Sequence, residues 1–365
     1  MSTSPAKPKV IAEVANTHQG DIEVLYKMIK SLSKTSTDFI KFQIYSADEL
    51  LVKSHKRFEH FKGQSFSKKE WGEILDYSKK NKLKVIADVF GFTSLDICKE
   101  NEIRNIKIHS SDLTNKPLLQ ECSKFSKKIF LSCGGSNLRE IKYALDICLR
   151  NMELDQIILM HGFQAYPTEL ADNNLKRLRV LKRYFGNEIK LGFMDHTDAE
   201  YKNKNIASYL SVTLGTEFIE KHVTTDRIEK RVDYFSSLNL DEFQSFLDEL
   251  EEINRMLGKE EINFSVSEKK YRNEVRKNWV TNKDLKNKSK ITEKDLVMKR
   301  TDEEAKPLFI EDIVGRKIKK NLKKDKEVNL KSFKNNILAI VVARSRSSRL
   351  PEKAFIKILK KNTLE

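Results

Sequence analysis

Short apolar runs alternate with stretches of helical periodicity over the first 258 residues of the chain. The runs have the length of buried strands, and the stretches between them repeat apolar residues every three or four positions, as helices do. The predicted strands are Val10–Val14, Phe39–Gln43, Lys84–Val89, Asn105–Ile108, Lys128–Leu131, Gln156–Met160, Ile189–Phe193 and Phe218–Glu220. The predicted helices include Ile22–Ser33, Trp71–Lys80, Leu138–Arg150, Leu175–Tyr184, Ile206–Leu214 and Asp241–Leu257. Eight β/α units in about 250 residues are typical of an α/β fold of the TIM (β/α)8 barrel class, whereas a doubly wound sheet has no reason to stop at eight.

Polar side chains gather at or just after the carboxyl ends of the predicted strands. They are Glu13, Asn16, Thr17, His18, Lys41, Gln43, Asp88, Lys107, Ser110, Asp112, Ser132, Gln164, Tyr166, His196 and His222. In a (β/α)8 barrel this end of the strands carries the catalytic residues, so the pattern indicates an enzyme.

Two of these residues, His196 and His222, each follow an apolar run that predicts a strand. Neutral imidazole is a common metal ligand, and two adjacent strands offer it a rigid base. We therefore expect the pair to hold a divalent metal ion at the mouth of the barrel. The alternative is that each histidine caps its strand and forms only local hydrogen bonds.

The alternation of apolar runs and helical stretches stops after Gly258, where the last predicted barrel helix ends. We predict a barrel domain over residues 1–258, a polar linker over 259–275, a small compact domain over 276–333 and a separate segment over 334–365. The small domain has short apolar pieces and many turns, which is too broken for another β/α pair.

Composition argues against a nucleic-acid-binding, a disulfide-bonded and a membrane protein. The net charge is +16, but lysines are spread along the whole chain, so no nucleic-acid partner is expected. The four cysteines lack CxxC spacing and are predicted to be reduced. No apolar signal segment or membrane-length run is present, so we expect a cytoplasmic protein that does not bind membranes.

The motifs IAEVANTHQGD, FIKFQ, IKIHSSDLTNKPLL, LSCGG, HGFQAYPT, DHT, EKHVTTDR and VDYFSSL occur in one order along residues 10–333. In that order they resemble the sialic acid synthase family. Members condense phosphoenolpyruvate with an N-acyl amino sugar, such as N-acetylmannosamine, to a nine-carbon 2-keto acid. Residues 278–333 are similar to the family's C-terminal antifreeze-like (SAF, β-clip) domain.

The resemblance implies roles for particular side chains. Phosphoenolpyruvate carries a carboxylate and a phosphate, so its site needs cations and hydroxyl donors. The residues that match such groups are Lys41, Lys107, Ser110 and Ser132. The residues that match the family's catalytic carboxylates are Glu13, Asp112 and Asp233, which would manage protons and stabilise a cationic C2 centre.

The sugar end of the site follows from the same resemblance. His196 and His222 would hold Mn²⁺ or Mg²⁺, which polarises the sugar aldehyde. Gln164 and Tyr166 match residues of the sugar site. Arg300 matches an arginine that the SAF domain places in the active site of the partner subunit, which implies a homodimer.

Three positions depart from the family pattern. Asp88 stands where a phosphate-site threonine is common, Met194 replaces a serine and Cys133 replaces a threonine. A carboxylate beside a phosphate repels it unless a cation intervenes. Two alternatives stay open. One is another phosphoenolpyruvate-condensing aldulosonate synthase, against which the SAF-like domain argues. The other is a catalytically impaired sugar-binding scaffold fused to a cytidylyltransferase, which the departures at Asp88 and Met194 support.

The last segment, ILAIVVARSRSSRLPEK onward, is similar to the opening of the sugar nucleotidyltransferases, including cytidylyltransferases. Arg344, Arg349 and Lys353 match the cationic positions of its phosphate-binding turn. Residues 334–365 are too few for such a domain, so we expect the truncated start of one, with no transferase activity of its own.

Overall fold

A computed structural model describes residues 7–162, 165–259, 261–302 and 308–333, together with the backbone of 357–358 and 361–362. The chain forms two compact units, residues 1–260 and 261–365. Within the described residues no helix is both long and apolar enough to span a bilayer.

The first unit is a closed parallel barrel. Each of the first eight strands pairs with the next, and the eighth pairs with the first. These strands are β1 (Lys9–Glu13), β2 (Phe39–Ile44), β3 (Val85–Val89), β4 (Asn105–Ile108), β5 (Lys128–Ser132), β6 (Ile157–His161), β7 (Lys190–Asp195) and β8 (Phe218–Thr224). A short strand, β9 (Ser237–Asn239), adds to β8. The predicted TIM barrel is confirmed.

Helices surround this barrel. They are α1 (Ile22–Leu32), α2 (Ala47–Leu50), α3 (Phe58–Gln64), α4 (Lys68–Lys80), α5 (Phe92–Glu100), α6 (Lys116–Phe125), α7 (Leu138–Cys148), α8 (Arg177–Phe185), α9 (Ile206–Thr213) and α10 (Leu240–Leu257). Several begin with a capping box, in which the first side chain and the acidic residue three positions on bond each other's backbone, as Ser67 and Glu70 do at α4. The main hydrophobic core lies between these helices and the outer face of the strands.

The strands read as continuous apolar runs because both of their faces are buried. Side chains alternate along each strand, so every second residue points into the barrel. Inward residues, most of them near the amino ends, form an apolar plug: Ile11, Phe39, Ile86, Phe130, Ile158, Met160, Met194 and Phe218. Above this plug the inward positions become polar, and the candidate site begins there.

The second unit begins with α11 (Val266–Val275), a helix within the segment that the sequence predicts as a linker. Ser265 and Glu268 form its capping box, a signal that the high polarity of the segment obscures. Beyond it, β10 (Asn278–Thr281) and β11 (Leu296–Lys299) pair antiparallel. A small separate core holds this unit together: Leu285, Ile291, Leu296, Ile313, Ile318, Leu322, Val328 and Phe333.

Within residues 334–365 the structure describes only the backbone of two short paired strands, β12 (Lys357–Ile358) and β13 (Lys361–Asn362). The predicted phosphate-binding residues Arg344, Arg349 and Lys353 lie outside the described residues.

Candidate active site

Five buried charged side chains form one ion cluster in the mouth of the barrel. Lys41 Nζ lies 2.7 Å from Glu13 Oε2, 3.3 Å from Asp88 Oδ2 and 3.1 Å from Glu220 Oε1. Lys107 Nζ lies 2.8 and 2.9 Å from the two oxygens of Glu220 and 3.9 Å from Asp88 Oδ2. All five side chains are at most 2% exposed, so they interact away from bulk water.

Strand register brings these groups together. Glu13 is opposite Lys41 across β1 and β2, and Asp88 is opposite Lys107 across β3 and β4. Because the barrel closes, β8 lies beside β1, and its Glu220 reaches Lys107 although the two residues are 113 positions apart in the chain. A closed barrel with alternating side chains thus converts separate strand-end motifs into one site.

Burial and charge act against each other in this cluster. Burial lowers the pKa of Lys41 to about 8, although the charge of Glu220 acts in the other direction. Burial also opposes the charge on Lys107, but Glu220 and Asp88 outweigh it and raise the pKa of that ammonium. Burial would raise the pKa of Glu220, but the two lysines hold it well below its usual range. The cluster contains three carboxylates and two ammonium groups, so it carries one excess negative charge.

Two histidines lie beside the ion cluster. The ring centroids of His196 and His222 are 5.0 Å apart, and His222 is opposite Glu13 across β8 and β1. Both side chains are buried, and the Nδ1 atom of each is buried without a hydrogen-bond partner. The strand-capping alternative therefore receives no support from a local bond at Nδ1.

The charge state of the pair suits a metal ligand. Burial lowers the pKa of His196 to about 4 and that of His222 well below its ordinary value. Both imidazoles are therefore neutral, which is the form that coordinates a cation. Among the described residues no group of three or more His, Cys, Asp or Glu side chains is arranged to hold a metal ion. The two buried, neutral imidazoles, each with an unpartnered Nδ1, are nonetheless donors of the kind that a divalent ion accepts.

A second buried ion pair lies on the opposite face of β7 and β8, directly before each histidine. Lys221 Nζ lies 3.0 Å from Asp195 Oδ2, and both side chains are fully buried. Ser208 Oγ donates to the same carboxylate at 2.6 Å. Because Asp195 and Lys221 point outward, His196 and His222 point inward. This pair joins the two strands that carry the histidines.

Tyr166 is at the rim of the site. Its ring contacts those of His196 and His222 edge to face, with centroid distances of 4.9 and 5.6 Å, and the residue is 38% exposed. It is therefore placed where a substrate above the histidines would meet it.

Asp233, in the loop after β8, is half-buried and adopts a left-handed backbone conformation with φ of 63°. Burial raises the pKa of its carboxyl to about 6, and Arg57 and a hydrogen bond from the backbone of Asn16 oppose this rise. A carboxyl with this pKa can both hold and release a proton near neutral pH.

The predicted hydroxyl donors have different surroundings. Ser132, at the end of β5, is fully buried and donates to the sulfur of Met194 at 3.6 Å. Ser110 and Asp112 are half-buried in a single 3-10 turn after β4. The Asp112 carboxylate accepts hydrogen bonds from Ser111 Oγ at 3.0 Å and Asn115 Nδ2 at 2.8 Å, both from within its own turn and the residues that follow it.

Two further predicted residues cannot be placed at this site. Gln164 lies outside the described residues. Arg300 belongs to the second unit, directly after β11, where its side chain is exposed. Their roles stay predictions.

Glu220 is the site residue that the sequence reasoning missed. It lies two positions before His222, and residues two apart on a strand share a face. This period-two relation within EKH was the signal that could have identified it. The predicted strand stopped at Glu220, but β8 runs on to Thr224, so His222 lies within the strand and not after it.

Comparison with known proteins gives a consistent result. A family model described as the NeuB family matches residues 28–262. The chain is 31% identical over 316 residues to an uncharacterized protein of Methanocaldococcus jannaschii, with 87% of this chain and 91% of that protein covered. It is 29% identical over 334 residues to the N,N'-diacetyllegionaminic acid synthase of Campylobacter jejuni, with 87% and 98% covered.

Among solved structures, the chain is similar to the sialic acid synthetase of Leptospira borgpetersenii in complex with citrate. The TM-score is 0.68 and the identity 28%, with 74% of this chain and 93% of that chain covered.

Proposed function

Because this chain belongs to the NeuB family, we propose that it condenses phosphoenolpyruvate with an N-acyl amino sugar to a nine-carbon 2-keto sugar acid and phosphate. The names of its relatives suggest a product of the sialic, legionaminic or pseudaminic acid type. The observation that carries the proposal is the pair of buried lysines beside two neutral, buried histidines at the carboxyl ends of the barrel strands.

Lys41 and Lys107 bind the phosphoenolpyruvate end. Two buried ammonium groups in a water-poor barrel mouth attract a carboxylate and a phosphate more strongly than exposed lysines do. Ser110 and Ser132 supply hydroxyl donors, Ser132 after it leaves the weak acceptor Met194. Their positions at the ends of β4 and β5 support this assignment.

His196 and His222 would hold a divalent cation, Mn²⁺ or Mg²⁺, at the sugar end of the site. When bound, this ion would polarise the open-chain aldehyde of the sugar. Tyr166 packs against both imidazoles and orients the sugar above them. Gln164 also binds the sugar. The proposed protein is a homodimer, in which Arg300 of one SAF domain reaches the sugar site of the partner subunit. We propose a cytoplasmic location for it.

The carboxylates manage protons and charge. Carbon C3 of phosphoenolpyruvate forms a bond to the aldehyde carbon, water adds at C2, and phosphate leaves as the C2–O bond breaks. Glu13, held by Lys41, lies where it can stabilise positive charge at C2. Asp233, with a pKa of about 6, accepts the proton of the attacking water, and Asp112 assists from its turn after β4.

The direct test follows phosphate release from phosphoenolpyruvate and Mn²⁺ with a panel of N-acyl hexosamines, and mass spectrometry identifies the acid formed. We expect release with at least one sugar. An aldose phosphate used in place of every amino sugar would favour the aldulosonate synthase alternative. If no acceptor leads to phosphate release, the scaffold alternative remains, which the departures from the family pattern at Asp88 and Met194 support.

A further inference from the structure

The two lysines of the site are fully engaged by the protein's own carboxylates. An ammonium group has three N–H donors. Lys41 has three carboxylate partners, Glu13, Asp88 and Glu220, within 3.3 Å. Lys107 has both oxygens of Glu220 and, at a longer distance, Asp88. An anion that binds to these lysines must therefore displace a carboxylate or tolerate it.

Asp88 is the least firmly held of the three carboxylates. Its Oδ2 lies 3.3 Å from Lys41 and 3.9 Å from Lys107, longer than the 2.7 to 3.1 Å contacts of Glu13 and Glu220. Its second oxygen, Oδ1, is buried and has no hydrogen-bond partner. Glu13 Oε2 also lacks a hydrogen bond, but it lies 2.7 Å from Lys41, and the other oxygen of Glu13 accepts a hydrogen bond from Gln43 Nε2 at 3.3 Å. A buried polar atom without a partner is unfavourable, so Asp88 is held mainly by the charge of the lysines.

Asp88 also provides the third carboxylate, which gives the cluster its excess negative charge. Without it, two carboxylates would balance two ammonium groups. Charges buried in a medium of low effective dielectric act strongly on one another over distances of 3 to 4 Å. Phosphoenolpyruvate, a trianion, therefore competes with the Asp88 carboxylate for the ammonium groups of Lys41 and Lys107.

We propose that Asp88 is a specificity-determining residue, because its carboxylate competes with small anions for Lys41 and Lys107. A ligand with two anionic groups, such as phosphoenolpyruvate, can engage both lysines at once and displace Asp88. A single small anion such as inorganic phosphate cannot, so the released product does not occupy the site. This inference rests on the proposed function for its substrate, but its test does not depend on turnover.

The test measures binding by calorimetry, with phosphoenolpyruvate and inorganic phosphate as separate probes. Asp88→Asn and Asp88→Thr remove the charge and keep a polar side chain. We expect the dissociation constants of both anions to fall in each variant, that of inorganic phosphate by at least about tenfold more than that of phosphoenolpyruvate. Asp76→Asn is the matched control, because it removes the same charge from an exposed position on α4, and its affinities should equal those of wild type.

An equal gain in affinity for the two anions in both Asp88 variants overturns the inference, as does an absence of binding by all proteins. A large loss of thermal stability in both variants also overturns it, because a loosely held carboxylate should be dispensable for folding. Phosphate release with the amino sugars is measured separately. If the variants bind the anions more tightly but wild type releases no phosphate with any amino sugar, the proposed function is wrong and the inference about Asp88 holds.

Discussion

Lys221→Met should destabilise the barrel strongly, because it leaves a buried carboxylate without its counter-charge. Lys221 is fully buried and bonds both Asp195 Oδ2 and the carbonyl of Lys204 at 3.0 Å. Removing one partner of a buried ion pair costs ~3–5 kcal/mol. Ser208 and the amide of Thr197 still bond Asp195, which favours the lower half of this range.

The assay is thermal and urea unfolding followed by tryptophan fluorescence. For a unit of this size a loss of 1 kcal/mol lowers the melting temperature by about 2–4 °C, so a loss of ~3–4 kcal/mol should make the variant melt roughly 6–16 °C lower. Lys142→Met is the matched control, because Lys142 pairs with Asp146 on the surface, with half of each side chain exposed. Exposed pairs contribute about 1 kcal/mol or less.

The pH dependence has a definite sign. Burial would raise the pKa of Asp195, but Lys221, Ser208 and Thr197 outweigh burial and hold it below the usual value. A group with a lowered folded pKa stabilises the protein above its unfolded pKa of about 3.9 and loses that contribution as the pH falls. The gap between wild type and Lys221→Met should therefore narrow toward low pH. Equal stability of the two proteins at pH 7, or a gap that widens on acidification, would refute this reasoning.

Three predictions concern the site itself. His196→Ala should abolish the binding of Mn²⁺, measured by calorimetry, and with it the release of phosphate. The control His55→Ala, in an exposed loop, should leave both intact. Full Mn²⁺ affinity of His196→Ala would contradict the metal assignment. Lys41→Met should raise the KM for phosphoenolpyruvate by about 100-fold, since a charge-assisted contact contributes ~3 kcal/mol, and an unchanged KM would remove Lys41 from the substrate site. If Asp233 takes the proton of water, kcat should rise with pH through about 6 and this limb should vanish in Asp233→Asn; an identical pH profile in the variant would exclude that role.

The barrel could be predicted from the sequence because parallel strands buried on both faces leave continuous apolar runs. The prediction failed at the end of β8, where Lys221 and His222 interrupt the run although both are buried. Polar residues that are buried on either face of a barrel strand carry no sign of their burial in the sequence. For Lys221 the partner on the neighbouring strand, Asp195, decides it.

The residues that form the ion cluster were mostly recognisable, but their contacts were not. The sequence places Lys41 and Lys107 at strand ends, yet only closure of the barrel brings Glu220 to both. The sequence also marked Asp88 as a source of repulsion toward phosphate. In the structure two cations, Lys41 and Lys107, lie beside Asp88 and offset its repulsion of a phosphate.

The central claim is that the site joins phosphoenolpyruvate to an amino sugar with cleavage of the C2–O bond. Phosphoenolpyruvate labelled with ¹⁸O at the oxygen that bridges C2 and phosphorus tests it most directly, with mass spectrometry of both products. Our account predicts that the label leaves with the released phosphate and that the keto oxygen of the nine-carbon acid comes from water. Label retained at C2 of the acid would mean cleavage of the P–O bond and would contradict the account.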